Sequence, residues 1–226
     1  MSEGPRERIR SRIYSTLATE GRAPSIAELA RVLGTSDRTI RRALIELAER
    51  HLFVLNRDGD AIRMAHPFSA APMAFVVAPA DGHDERRWWG GCAWDSFGIS
   101  ACLHLDVLID TTCPFCGTHL RIEAGPERPP SSGPVVRFPR PAAEWWDDVV
   151  ATCTDIRLFC STDHAAGWMT ATGTAIGEIV SAEIVWRLSQ PWYGDRLDPD
   201  YQPHTAAANQ MTLAELGLTG TFWELP

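Results

Sequence analysis

The sequence predicts an α+β protein: an N-terminal winged helix-turn-helix-like domain over residues 1–66, then a small mixed-sheet domain over residues 79–226. Three observations carry this reading. Apolar residues recur at helical spacing, with capping signals between them, through residues 5–50. An Asp-Gly turn between two short apolar runs follows. From Ala74 onward the chain breaks into short β-prone segments punctuated by turn residues.

Ile9, Ile13 and Leu17 stand four apart within residues 5–18, which predicts an amphipathic first helix. Ser25-Ile26-Ala27-Glu28 has the form of a capping box, so a second helix starts there with Ile26, Leu29 and Ala30 inward, and Gly34 ends it. Thr35-Ser36-Asp37 opens a third, with Ile40, Ala43, Leu44 and Leu47 on its apolar face. His51–Leu55 and Ala61–Met64 flank Asn56-Arg57-Asp58-Gly59-Asp60 and predict a hairpin, the wing. Pro67 and Pro72 mark a linker, and residues 67–78 hold it together with the first strand of the second domain.

Beyond it, Ala74–Val77, Cys102–Ile109, Leu120–Glu123 and Val135–Phe138 read as strands, and Trp94–Ile99 as a short helix. The Pro/Ser/Gly-rich stretch Pro126–Pro134 is a loop. Glu144–Ala151 reads as helix, Ile156–Phe159 as strand, and Asp163–Thr170 and Ile176–Leu188 as helices. After Tyr193 the polar, Pro-containing tail reads as irregular chain.

A hydrophobic content of 45% and nine Trp are enough to fill a core, which excludes a disordered chain. No stretch approaches the length of an apolar membrane span, and no secretory signal is visible, so a cytoplasmic location is expected. Thiols in that reducing compartment serve metals or catalysis more often than disulfides. The chain has no Lys. Residues 1–65 hold 12 Arg against 9 acidic groups, whereas the rest holds 9 Arg against 20. A net charge of −8 argues against a broad nucleic-acid-binding surface, and neither nucleic acid nor membrane is expected as a partner. Arg38, Arg41 and Arg42 do stand at the front of the third helix, where a DNA reader would carry them.

The chemistry-bearing pattern is Cys92-Ala93-Trp94-Asp95 together with Cys153. Two thiolates select a soft metal, and a carboxyl group three residues from one of them can deliver a proton beside it. Taken alone, both cysteines read equally well as core thiols, and Asp95 as a carboxylate at a helix N-terminus. Cys102 and Cys160, set in apolar strands, read as core.

The segment Trp89-Gly90-Gly91-Cys92-Ala93-Trp94-Asp95-Ser96-Phe97-Gly98 resembles the nucleophile segment of the alkylmercury (organomercurial) lyases. Leu105–Asp110 followed by Thr112-Cys113 is similar to that family's strand leading to a third, structural cysteine. Cys153 through Phe159, Cys160 and Ser161 to Trp168 is similar to its second catalytic cysteine and the run that follows. The resemblance implies that Cys92 and Cys153 ligate mercury, that Asp95 shuttles a proton, and that residues 79–226 form the catalytic domain. It also implies an N-terminal winged-helix-like domain used as scaffold and substrate cover.

The expected activity is protonolysis of a carbon–mercury bond to Hg(II) and a hydrocarbon. It would need no resident cofactor, only external thiols to remove the bound Hg(II), with a mercuric reductase as a candidate recipient. The alternatives are a cysteine-based metal sensor regulating transcription through its winged helix, or a relative using the same thiols on another metal or small molecule. Cys113-Pro114-Phe115-Cys116-Gly117 departs from the family pattern at Cys116. Cys113 and Cys116 are expected to be structural thiols. The alternatives are a mercury relay, or a zinc site completed from Cys153, Cys160 and His164.

Overall fold

The computed structural model describes residues 4–174 and 177–226. Three helices come first: α1 (Pro5–Glu20), α2 (Ile26–Leu33) and α3 (Asp37–Glu49). The Ser25 hydroxyl accepts from the Glu28 amide at 3.2 Å and the Glu28 carboxylate accepts from the Ser25 amide at 2.7 Å, closing the expected box. Ile9, Ile13, Leu17, Ile26, Leu29, Ile40, Leu44 and Leu47 are all buried. Helical spacing put them on facing sides of three short helices, and burying them against one another holds the trio together.

A seven-stranded antiparallel sheet follows, with spatial order β1-β2-β3-β5-β4-β6-β7. Its strands are β1 (Val54–Leu55), β2 (Ile62–Ala65), β3 (Phe68–Ser69), β4 (Phe75–Pro79), β5 (Trp88–Gly90), β6 (Val107–Thr112) and β7 (His119–Ala124). The hairpin β1–β2 forms around Asp58-Gly59, with Gly59 at φ 67° and Asn56 accepting from the Asp60 and Ala61 amides. Within the segment read as linker, β3 pairs with β2 on one side and β5 on the other, so the hairpin is continuous with the larger sheet. A second sheet has the order β10-β8-β9, built from β8 (Val135–Phe138), β9 (Arg157–Phe159) and β10 (Glu178–Ser181).

Helix α4 (Ala93–Leu103) packs against β4 and β5 and against α7 (Ala182–Tyr193). Gly98 makes that last contact possible: a Cβ there would stand 2.3 Å from the Tyr193 ring. Helix α5 (Val149–Asp155) precedes β9, and α6 (Thr162–Thr172) follows it. The N-terminal helices are tied to the rest by buried hydrogen bonds. Tyr14 donates to the His66 carbonyl at 2.9 Å and Trp88 to the Leu17 carbonyl at 2.9 Å, while Arg10 donates to the Arg196 and Asp198 carbonyls.

Four expectations are corrected. Cys102 and Leu103 belong to α4, which His104 ends in the left-handed conformation, so the strand starts only at Val107. An unbroken apolar run does not distinguish a buried helix end from a strand. The helix expected over Glu144–Ala151 splits into a 3-10 turn at Ala142–Glu144 and α5, whose N-cap is Asp148. In the segment read as a helix from Ile176, Glu178–Ser181 is strand β10, and α7 begins at Ala182, capped by the Ser181 hydroxyl; Ile176 itself lies outside the described residues. The tail is ordered too. Helix α8 (Ala206–Glu215), capped by Thr205, and a 3-10 turn at Thr221–Trp223 bring Leu213 and Trp223 into the core. Among the described residues no helix is long and apolar enough to cross a membrane.

Candidate active site

Strand β5 delivers the chain to Gly90-Gly91 and turns it directly into α4. Cys92 is the N-cap, and its sulfur accepts from the Asp95 amide at 3.3 Å. This places the Asp95 carboxylate within the first helical turn, beside the thiol. Gly91 leaves room for it, since a Cβ there would stand 2.4 Å from Asp95 Oδ2 and 2.7 Å from Met64 Cε. Cys153 arrives from the last turn of α5, and its sulfur lies 3.7 Å from Asp95 Oδ2. The two thiols are close enough for each to influence the other's ionisation. The fold therefore brings Cys92, Asp95 and Cys153 to one point, and all three are buried.

Two further residues hold the carboxylate. Tyr193, at the end of α7, donates to Asp95 Oδ1 at 2.7 Å, and His66 Nδ1 lies 3.1 Å from Oδ2. A hydrogen bond there requires the proton on Nδ1, because a carboxylate only accepts; the buried Nε2 has no partner among the described residues. His66 is itself fixed by the Tyr14 hydroxyl on its carbonyl. Neither His66 nor Tyr193 was singled out from the sequence. Their contacts to Asp95 span 29 and 98 residues, and a lone His or Tyr carries no spacing signal.

The three groups face a cavity of about 70 Å³. Trp94, Trp145, Trp146 and Trp192 supply most of its apolar wall. Trp94 packs against Trp145 at 5.3 Å and Trp192 at 4.9 Å between ring centroids, its ring turned toward the pocket. His51, at the end of α3, stacks on Trp146 at 4.2 Å and covers one side of the pocket from the N-terminal region. A larger cleft of about 290 Å³ adjoins it through His51, Trp145, Trp146, Trp192 and Arg196.

Electrostatically, both thiols favour the protonated form. Burial pushes the Cys92 thiol well up, the neighbouring Cys153 thiol and the Asp95 charge add to this, and only the Asp95 amide opposes. The neighbouring Cys92 thiol lowers Cys153, but burial and the adjacent carboxylate outweigh it, and that thiol too lies above its ordinary range. A soft metal ion reverses the balance, because a coordinated thiol gives up its proton. The pocket offers two sulfurs and, 3.7 Å from one of them, a carboxylate able to take its proton.

The family model for alkylmercury lyases (MerB) matches residues 68–194, more than half of the sequence. The chain belongs to the alkylmercury lyase family. It is thus an enzyme of the class that cleaves carbon–mercury bonds. The match runs from β3 to just past α7 and includes Cys92, Asp95, Cys153 and Tyr193, whereas His51 and His66 precede it. Comparison with curated proteins gives no match. Among solved structures, the mercury-bound form of MerB2 superposes with a TM-score of 0.63 at 21% identity, covering 86% of this chain and 90% of that one. At that identity the likeness speaks for the alkylmercury lyase fold, and it extends beyond the span of the family model.

The remaining cysteines lie outside this pocket. Cys102 is fully buried in α4. Cys160 is not in a core strand: it follows β9 half-buried, with its sulfur 3.7 Å from that of Cys116. Cys113 and Cys116 sit in the β6–β7 turn, and none of these three lines the cavity.

Proposed function

We propose that this chain cleaves organomercurials by protonolysis, with Cys92 and Cys153 as mercury ligands and Asp95 as the proton shuttle. The observation that carries the reading is Asp95 Oδ2 lying 3.7 Å from the Cys153 sulfur while the Asp95 amide binds the Cys92 sulfur. Thiol, thiol and carboxylate share one buried pocket, and each has the chemistry its step requires.

The substrate enters as R–Hg–SR′, an organomercurial on a small thiolate. Cys92 forms the first sulfur–mercury bond and its proton leaves with the displaced R′SH. Cys153 forms the second, and its proton passes to Asp95 Oδ2. Two thiolates make mercury electron-rich and push charge onto the attached carbon. Asp95 then protonates that carbon, the carbon–mercury electron pair becomes the new C–H bond, and R–H departs. The product is Hg(II) on two sulfurs, to be removed by two external thiols. His66 and Tyr193 position the carboxylate. The tryptophan wall excludes water from the developing carbanion.

In this reading residues 1–66 are a winged-helix-like cover, 67–78 connect it, and 79–226 carry the chemistry. His51 closing on Trp146 is the contact through which the cover reaches the pocket. The pocket's volume favours small alkyl groups, with larger organic groups reaching into the adjoining cleft. Dependence on free thiols suits the reducing cytoplasm, where a mercuric reductase would be a fitting acceptor of the Hg(II). The test is incubation of the purified protein with methylmercury and excess thiol. Methane should accumulate with wild type and not with Cys92→Ser or Cys153→Ser, since a hydroxyl is a poor soft-metal ligand. Methane release unchanged in both variants would exclude these two thiols as the ligands.

A further inference from the structure

Away from the pocket, four metal-ligating side chains converge. The ligand atoms of Cys113, Cys116, Cys160 and His164 all lie within 4.8 Å of one another. We propose that these four residues bind a structural zinc ion. The sequence offered a zinc site only at the expense of Cys153; the fold completes the set without it.

The geometry matches a tetrahedral site with no open position. Zinc–sulfur bonds of about 2.3 Å place two thiolates about 3.8 Å apart on a tetrahedron, with a sulfur–nitrogen edge slightly shorter. The Cys116 and Cys160 sulfurs are 3.7 Å apart, and Cys113 Sγ lies 3.7 Å from His164 Nδ1. A disulfide would need about 2.05 Å, so the Cys116–Cys160 pair is not bridged. Ligand spacing agrees: Cys-x-x-Cys from the β6–β7 turn, then Cys160 and His164 with three residues between them.

The surrounding backbone holds the knuckle closed, with the Gly117 amide on the Cys113 carbonyl at 3.0 Å. Gly117, at φ 73°, lets the turn close so that the Cys113 amide reaches the Thr118 carbonyl at 2.9 Å. Ser161 caps α6 by accepting from the His164 amide, which fixes that residue in the first turn, facing the knuckle. Phe115 lies over the His164 ring at 5.2 Å and against Gly167, where a Cβ would stand 2.8 Å from its ring.

A reason for the ion is visible in the packing. Among the described residues the two sheets meet here over a minor core of Cys113, Val135, Phe159 and Ala165, flanked by the partly buried Leu120, Cys160, Trp168 and Ile179. Such a cluster is small beside the main core, and small cores are commonly supplemented by a metal or a disulfide. A Cys3His zinc would staple the β6–β7 turn of the larger sheet to β9 and α6 beside the smaller one.

The experiment is metal analysis of the full chain, purified reduced and without chelator from zinc-supplemented medium. One zinc per chain is expected. It should be lost in Cys160→Ala and kept in His164→Cys, which supplies a fourth thiolate, and in the Cys92→Ser/Cys153→Ser double variant. Stripping wild type with a chelator should lower Tm and adding zinc back should restore it, a readout that stands even if Cys160→Ala does not fold. Cobalt(II) in place of zinc should show the absorption of a tetrahedral thiolate site. A zinc-free protein whose Tm ignores added zinc would overturn the proposal. So would zinc that disappears with Cys92 and Cys153, or four residues that take up only added Hg(II). None of these outcomes depends on the lyase reading, whose failure would appear in hydrocarbon release alone.

Discussion

In the proposed mechanism Asp95 is the residue on which the chemistry turns, and its surroundings show how narrowly it is placed. It is 1% exposed, with Tyr193 on one oxygen and His66 and Cys153 on the other. Asp95→Asn keeps the shape but cannot relay a proton as a carboxylate does. Loss of a general acid typically costs about 10²–10⁴ in rate. Turnover should fall by that order while Hg(II) still binds the two thiols, which parallel hydrocarbon-release and mercury-retention assays would resolve. Gly91→Ala places a methyl group against Oδ2 and Met64 and should reduce turnover without removing any ligand. Cys92, Asp95 and Cys153 were singled out through family resemblance, because the residues taken alone read equally well as two core thiols and a carboxylate at a helix N-terminus. His66, Tyr193 and the Trp145–Trp146 wall were not, since their proximity is created by the tertiary fold.

Among the elements, the helices announced themselves by caps more reliably than by periodicity. Ser25 with Glu28 marked α2 and Ser36 marked α3, and both caps form. Ser181 and Thr205 cap α7 and α8 just as well, but apolar continuity before one and prolines around the other hid them. The ordered tail has a consequence. Trp223 packs on Phe138 at 5.0 Å and Trp145 at 6.3 Å, directly behind the pocket wall. Trp223→Ala removes a side chain that is 4% exposed, and such a core truncation costs about 3–5 kcal/mol. Chemical denaturation should show that loss. An unchanged midpoint would mean that the tail is not part of the core.

For the whole molecule, the sequence foretold an α+β chain but not its continuity: strand β3 joins the N-terminal hairpin to the larger sheet through pairings too short to leave a sequence signal. On the arginine face of α3, Glu46 forms ion pairs with Arg42 and Arg6, while Arg38, Arg41 and Arg42 remain exposed. With 20 acidic groups against 9 Arg after residue 65, phosphate backbones should be repelled nearby. No shift of duplex DNA is expected at physiological salt, with or without Hg(II). A salt-dependent, sequence-specific shift would favour the metal-sensor alternative. Stability should also respond to alkali. Burial raises the Cys102 thiol from its ordinary 9.0 to about 12 and the Tyr14 hydroxyl from 10.0 to about 12. The folded state thus holds protons that the unfolded chain has already released. This contribution is whole below pH 9 and is lost as pH climbs toward 12. Denaturation midpoints should fall across that window, and less steeply in Cys102→Ala.

The most direct measurement of the central claim is a single turnover with one equivalent of phenylmercury and no added thiol acceptor. Benzene and protein-bound mercury are quantified together, in wild type and in Asp95→Asn. Wild type should release one benzene per chain and then stop, with Hg(II) retained on Cys92 and Cys153, while Asp95→Asn takes up phenylmercury and releases almost none. Phenylmercury held by wild type without benzene, or benzene released equally well by Asp95→Asn, would contradict protonolysis by this thiol–thiol–carboxylate site.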